Sequence, residues 1–235
     1  MLQPIDRLYV TIDAYQIEID DRIVLSSNLQ LGNNAAAQAL LAQLGITNVQ
    51  AARYFNNAID TRTRGVDLVG SYAIPLGAGR LSLTGGYNYN ETEVTRVVPN
   101  PAVLDALGAN LERIGRDERG RIEEGFPRDK IALSGIWTVG PWAVNLGATR
   151  YGEFTTRTAS ASNIDYTYDA RWLVDASASW SVNGWAVTLG ADNVFDEYPE
   201  RSPYENSTFG QFLYPTQSPF GFNGTYLYGK LSYQW

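Results

Sequence analysis

The stretch Arg80-Leu81-Ser82-Leu83-Thr84-Gly85-Gly86-Tyr87-Asn88-Tyr89-Asn90 decides the fold class. Leu81, Leu83, Gly85, Tyr87 and Tyr89 fall on one face of an extended chain, and Ser82, Thr84, Gly86, Asn88 and Asn90 on the other. That is the period of two of a strand with one apolar and one polar face. Upstream, Val66, Leu68, Gly70, Tyr72 and Ile74 repeat the pattern, as do Leu8, Val10, Ile12 and Ala14. Downstream it recurs in Ile131 to Val139, Trp142 to Ala148, Trp172 to Trp180, Trp185 to Ala191 and Leu227 to Trp235, which makes eight strands.

Connections between these strands alternate in length. Pro75 to Gly79, Gly140-Pro141 and Val182-Asn183-Gly184 are short and carry the glycine, proline or asparagine of tight hairpins. Ser26 to Ala51, Arg96 to Pro127, Thr155 to Tyr166 and Phe195 to Phe222 are long. A soluble sandwich has no reason for such alternation, whereas an outer-membrane barrel has short periplasmic turns and long extracellular loops. Tryptophan supports the same reading: Trp137 and Trp142 flank one short turn, Trp180 and Trp185 another, and Trp235 ends the chain. Five indoles on one predicted membrane edge form the aromatic girdle of a barrel wall, and Trp172 lies near the opposite edge. The fold class is therefore all-β, an antiparallel transmembrane β-barrel segment of about eight strands.

Composition removes other classes. The 235 residues include no cysteine and no histidine, so disulfide scaffolds, thiolate or imidazole metal sites and Ser-His or Cys-His catalysis are excluded. A net charge of −7 makes nucleic acid an unsuitable partner. Mean hydropathy is −0.23, and no run of about 18 apolar residues is present for a spanning helix. The pairs Asp20-Asp21 and Glu123-Glu124 are read as strand neighbours pointing to opposite faces, which makes no acid/base dyad. The chain reads as no enzyme, with no cofactor and no metal site.

Several stretches resemble the TonB-dependent outer-membrane receptors, specifically the C-terminal part of their barrel. They are Tyr15-Gln16-Ile17-Glu18-Ile19-Asp20-Asp21-Arg22-Ile23, Asn57-Ala58-Ile59-Asp60-Thr61-Arg62-Thr63-Arg64-Gly65-Val66-Asp67, Gly190-Ala191-Asp192-Asn193-Val194-Phe195-Asp196-Glu197-Tyr198-Pro199, and the terminal strand with Trp235. The resemblance implies a 22-stranded barrel around an N-terminal plug. It also implies TonB-energised uptake of a nutrient chelate such as a ferric siderophore or cobalamin, in the outer membrane of a Gram-negative bacterium. Expected partners are outer-membrane lipid, the remaining barrel strands and the plug, with TonB engaged only through an N-terminal part. The chain is read as lacking plug and signal peptide, hence inactive alone.

The alternative is a complete small eight-stranded barrel with a structural or adhesive role. The polar face, with Ser82, Thr84, Gly86, Ser134, Thr138, Asn145, Gly147, Thr149, Ser177, Ser179, Thr188 and Gly190, is too small to fill a sealed interior and suits the wall of a wide lumen. Leu8 to Leu25 and Tyr226 to Trp235 are then expected as unpaired edges. Inward positions near the upper rim, Asn88, Asn90, Thr149, Tyr151, Arg171 and Asp192, are the candidate ligand contacts. Arg53, Tyr54, Arg96, Arg150, Arg157, Tyr166, Tyr168, Tyr198, Arg201 and Tyr204 crowd the long-loop side. Short helices are expected over Asn33 to Gly45 and from Pro101 to about Ile114, and Arg113 to Glu124 reads as a solvated mixed-charge lattice.

Overall fold

The computed structural model describes residues 3–107, 112–159, 162–208 and 210–235. In chain order the elements are β1 (Leu8–Leu25), β2 (Leu29–Gln30), α1 (Ala35–Gln43), β3 (Ala51–Ala52), β4 (Phe55–Leu76), β5 (Gly79–Val97), α2 (Ala102–Ala106), α3 (Arg116–Glu123), β6 (Asp129–Val139), β7 (Trp142–Tyr151), β8 (Phe154–Thr156), β9 (Tyr166–Tyr168), β10 (Arg171–Val182), β11 (Trp185–Asp192) and β12 (Tyr226–Tyr233). Eight of the strands make one antiparallel meander, β1-β4-β5-β6-β7-β10-β11-β12. The pairs β2-β3 and β8-β9 are ribbons inside long loops. No ladder joins β1 to β12 among the described residues, so the sheet is an open arc and not the closed small barrel.

Alternation fixes which residues share a face. Cross-strand partners such as Leu68 and Tyr87, Leu83 and Gly135, or Val144 and Ala178 put the apolar series of all strands on one side. Below its upper limit that face is a continuous apolar band: Val66 to Leu76, Leu81 to Tyr89, Ile131 to Val139 and Trp172 to Trp180 each match the roughly 9–11 residues of a tilted membrane-crossing strand. Trp142 lies opposite Trp180, and Trp185 opposite Tyr233, beside the short turns. These indoles stand half exposed along one edge, as the girdle reading expects. The terminal strand closes at Tyr233, so Trp235 lies just beyond it and is fully exposed.

Above the band the same face turns ionic. Glu18 pairs with Arg62 at 3.0 Å, Arg64 donates to Gln16 at 2.8 Å, Arg128 pairs with Glu91 at 3.0 Å, and Arg150 meets Asp129. This change at Ala14, Val66, Tyr89 and Ile131 marks the upper membrane boundary. β1, β4 and β5, at 18, 22 and 19 residues, continue well past it, whereas β7, β10, β11 and β12 run only 8 to 12 residues.

Both edge strands are seated by a tyrosine lying on a glycine. A Cβ on Gly65 would come 2.4 Å from the ring of Tyr15, and one on Gly190 would come 2.3 Å from that of Tyr228. Each ring thus covers a bare stretch of the neighbouring strand and pins its register.

Buried apolar side chains sit on the long-loop side. One cluster packs Leu29, Leu31 and Ala37 under α1, and another joins Ala58, Ile59, Val94 and Ile114. The first expected helix forms as α1: the Asn34 side chain accepts from the Ala37 N–H at 2.9 Å, while its amide donates to Leu107 O at 2.7 Å. The second expectation needs correcting. The helix after Pro101 ends at Ala106, and a separate helix, α3, occupies the mixed-charge run. Asp117 and Glu118 in its first turn and Arg121 in its last complement its dipole. The part of the expected helix over 108–111 lies outside the described residues.

Candidate functional site

The long loops converge on α3. Glu118, 6% exposed, meets Arg53 and lies 3.5 Å from Arg121. Asp117 accepts from Ser27 Oγ at 3.0 Å, and Ser27 Oγ in turn accepts from Gly115 N. Arg116 grips Asp165 through two bonds of 2.8 and 2.5 Å. Arg157 lies across the helix at Gly120, where any Cβ would collide with it, and donates twice to Glu124 at 2.9 and 2.6 Å. Residues of the β1-β4 and β7-β10 connections thus hold one helix of the β5-β6 connection.

This overturns the reading of Arg113 to Glu124 as a solvated lattice, because Arg113, Glu118 and Gly120 are buried and Arg116, Asp117, Glu118 and Glu124 face partners on other loops. It also corrects Glu123-Glu124. They end a helix instead of alternating along a strand, and both reach Arg157, Glu123 at 3.6 Å. The Arg116 guanidinium holds the Asp165 carboxyl below the usual carboxylate range. Burial pushes Glu118 up, against the pull of Arg121 and Arg53.

The fourth loop joins through the β8-β9 ribbon. Tyr166 donates to Glu200 at 2.5 Å, Tyr168 to Ser202 at 3.0 Å, and the Asp169 N–H to Glu200 at 3.0 Å. Most arginines and tyrosines of the long-loop side are therefore engaged within it. Arg53, Arg96, Arg150 and Arg157 are ion-paired, and Tyr168 is 1% exposed against Phe154. Tyr198 stacks on Tyr214, and Tyr204 is exposed.

On the polar face the register draws one row across six strands: Asp13, Asp67, Asn88, Lys130, Tyr151 and Arg171, each opposite the next. At about 4.8 Å per strand it spans roughly 24 Å at the height of the upper membrane boundary. Asn90 donates to Asn88 at 2.8 Å, and Asn88 to Asp67 at 2.6 Å, so these two amides form a relay toward the carboxylate. Tyr151 stacks on Phe220 with centroids 5.7 Å apart. Lys130 Nζ lies 5.0 Å from the centre of the Tyr151 ring. Arg171 approaches Glu197 to 3.9 Å, while its enclosed Nε makes no hydrogen bond.

The row unites Asn88, Tyr151 and Arg171 of the six sequence candidates. Asn90 is joined to it by its hydrogen bond. Thr149 lies lower, opposite Ala132 and Leu173. Asp192 is remote, opposite Tyr226, with its neighbour Ala191 facing Ala176, five residues along β10 from Arg171. Sequence reading missed Lys130. Its signal was the alternation itself, which places it on the polar side one residue before Ile131. No group of acidic side chains that could hold a metal ion occurs among the described residues.

Residues 2–194 match the family model described as TonB dependent receptor-like, beta-barrel, and the chain belongs to this family. Solved structures share the fold. The FrpB iron transporter from Neisseria meningitidis superposes with a TM-score of 0.59 at 12% identity, over 97% of this chain and 29% of that one. The copper transporter OprC gives 0.55 at 14% identity, over 98% and 29%. The ferric-catecholate import receptor Fiu from E. coli K12 gives 0.54 at 15% identity, over 99% and 26%. The chain thus spans between a quarter and a third of the length of these structures. No curated protein sequence matches it.

Proposed function

We propose that the chain is the C-terminal part of the barrel of a TonB-dependent outer-membrane transporter. Its apolar band faces lipid, and its polar face lines a lumen occupied by a plug. In this reading the complete protein takes up a nutrient chelate, such as a ferric siderophore or cobalamin, with energy delivered through TonB at a part outside this chain. The observation that carries it is the open meander with a lipid-crossing band, short turns at one end and a tied loop assembly at the other. Small side chains in the middle of the polar face, such as Ser134, Gly147 and Ser177, leave room for a plug to rest against the wall. By itself the chain is inactive, because both edge strands present unpaired backbone groups that hydrocarbon does not tolerate.

The test is expression behind a secretion signal, with and without the segments that complete the barrel, followed by membrane fractionation. Integral outer-membrane localisation and chelate uptake only in the completed form are expected. A heat-modifiable, monodisperse monomer from the chain alone, with protected amides along both β1 and β12, would sink the proposal.

A further inference from the structure

We infer that the lipid-facing side of β5, β6 and β7 carries a seat for one acyl chain of a phospholipid, in the leaflet beside the short turns. Such a seat lies outside the transporter reading and needs only that the apolar band face lipid.

The seat is a groove of about 650 Å3 in that band. Strand register builds it from three rows. In the lowest, Leu81 stands opposite Trp137; in the middle one, Gly135 lies between Leu83 and Leu146; in the upper one, Gly85 lies between Gly70 and Leu133. Bare backbone at Gly135 and Gly85 makes the floor, and the leucines make the walls. A Cβ on Gly85 would come 3.4 Å from Leu133 Cδ2, and one on Gly135 would come 3.3 Å from Leu83 Cδ2, so each glycine leaves a recess beside one leucine methyl. Leu76, at the end of β4, closes the lower end.

The shape and place of the groove name its occupant. None of the residues lining it is charged, so it takes hydrocarbon and not a headgroup. It is a recess in a surface that lipid already covers, and its lower end lies at the short turns, on the periplasmic side. From the level of Leu76, opposite Gly79, to that of Gly85 the strand rises about 20 Å, or about 14 Å of depth at a tilt near 45°, which is one leaflet of a roughly 30 Å hydrocarbon core. Trp137 stands at the mouth, where an amphipathic ring meets the headgroup region. Within lipid there is no hydrophobic gain, so retention comes from close packing: a chain lying on Gly135 and Gly85 touches wall on three sides, whereas a chain on a convex leucine surface touches one.

The barrel, completed by its remaining segments, is prepared with Trp137 as its one tryptophan and separately with Trp180, phenylalanine replacing the others. Both indoles are 37% exposed at the short-turn edge, but Trp180 lies outside the groove. Each barrel is titrated in dodecyl maltoside micelles with phosphatidylethanolamine brominated in mid-chain, which quenches an indole on contact. Trp137 fluorescence is expected to fall saturably and to level at equimolar lipid, while Trp180 falls only in proportion to the lipid content of the micelle. Gly85→Leu fills the groove and abolishes the saturable phase. Gly85→Ala, whose methyl makes an ordinary van der Waals contact, raises the lipid ratio at half-quenching and keeps the test valid if the leucine variant does not fold. Gly229→Leu enlarges a lipid-face glycine elsewhere and leaves the saturable phase as it was.

Proportional quenching at both indoles, or a saturable phase that survives in Gly85→Leu, overturns the inference. A Trp137 that stays unquenched in barrels sedimenting as dimers assigns the groove to a second copy and overturns it as well. Vesicles made wholly of the brominated lipid separate this failure from that of the membrane reading. Two unquenched indoles there mean that the apolar band does not meet lipid, whereas failure of the groove alone leaves both quenched.

Discussion

The lower and upper halves of this arc are held together by different physics. Within the membrane band, β4 to β12 are joined by backbone ladders, and their side chains face lipid on one side and small polar residues on the other. Above the boundary, apolar cores form around Leu31 and Ile59, and ion pairs and hydrogen bonds to α3 tie together loops far apart in sequence. Lipid supplies no driving force for burial, so a barrel wall is specified by alternation, while the watered half is built like a soluble domain.

The comparison breaks first in the band. Leu133→Arg places a cation on the lipid face between Gly85 and Ala148 and is expected to cost about 2–4 kcal/mol, read as lost refolding yield in bilayers. Ser134→Arg, one residue on but on the polar face, should refold almost as the parent does. If the two behave alike, the assignment of faces is wrong.

Overpacking at an edge comes next. Gly190→Val forces a branched side chain into the ring of Tyr228, with an expected loss of about 1–3 kcal/mol and exchange of the β12 amides in hydrogen-exchange measurements. Equal protection in the variant would show that the tyrosine does not seat the edge.

In the upper half, Arg157→Ala frees Glu123 and Glu124, and limited proteolysis should cut the α3 and β8-β9 loops about fivefold faster. Far-UV dichroism of the barrel should stay as it was. A parallel loss of strand signal would mean that the two halves are not separable.

The smallest effect is that of pH. Asp165 is held below its ordinary range by Arg116, so its pairing contributes above the unfolded carboxylate value and is lost as pH falls through the lowered one. Protease sensitivity of the β7-β10 loop should therefore rise only in the acid range, below about pH 4. Asp165→Asn should show that sensitivity at neutral pH, and its failure to do so would remove Asp165 from the clamp.

Much of the fold was legible because its signal is local. The alternation in Arg80 to Asn90, the glycines at Gly140 and Gly184 and the paired tryptophans each declare themselves within a few residues. The candidate site was half legible: parity puts Asn88, Tyr151 and Arg171 on the polar face, yet the one-row alignment requires the register of five ladders. α3 was not legible, since its run of arginines and glutamates looks solvated until Arg53, Asp165 and Ser27 arrive from other loops.

By itself the sequence determined the strands, their faces, the membrane edge marked by tryptophan and the family, because a period of two is a property of neighbouring residues. Only the tertiary structure decided that the sheet stays open, that a charged run becomes a buried clamp, and that Lys130 stands over the Tyr151 ring. Those depend on contacts between residues many positions apart, for which periodicity carries no information.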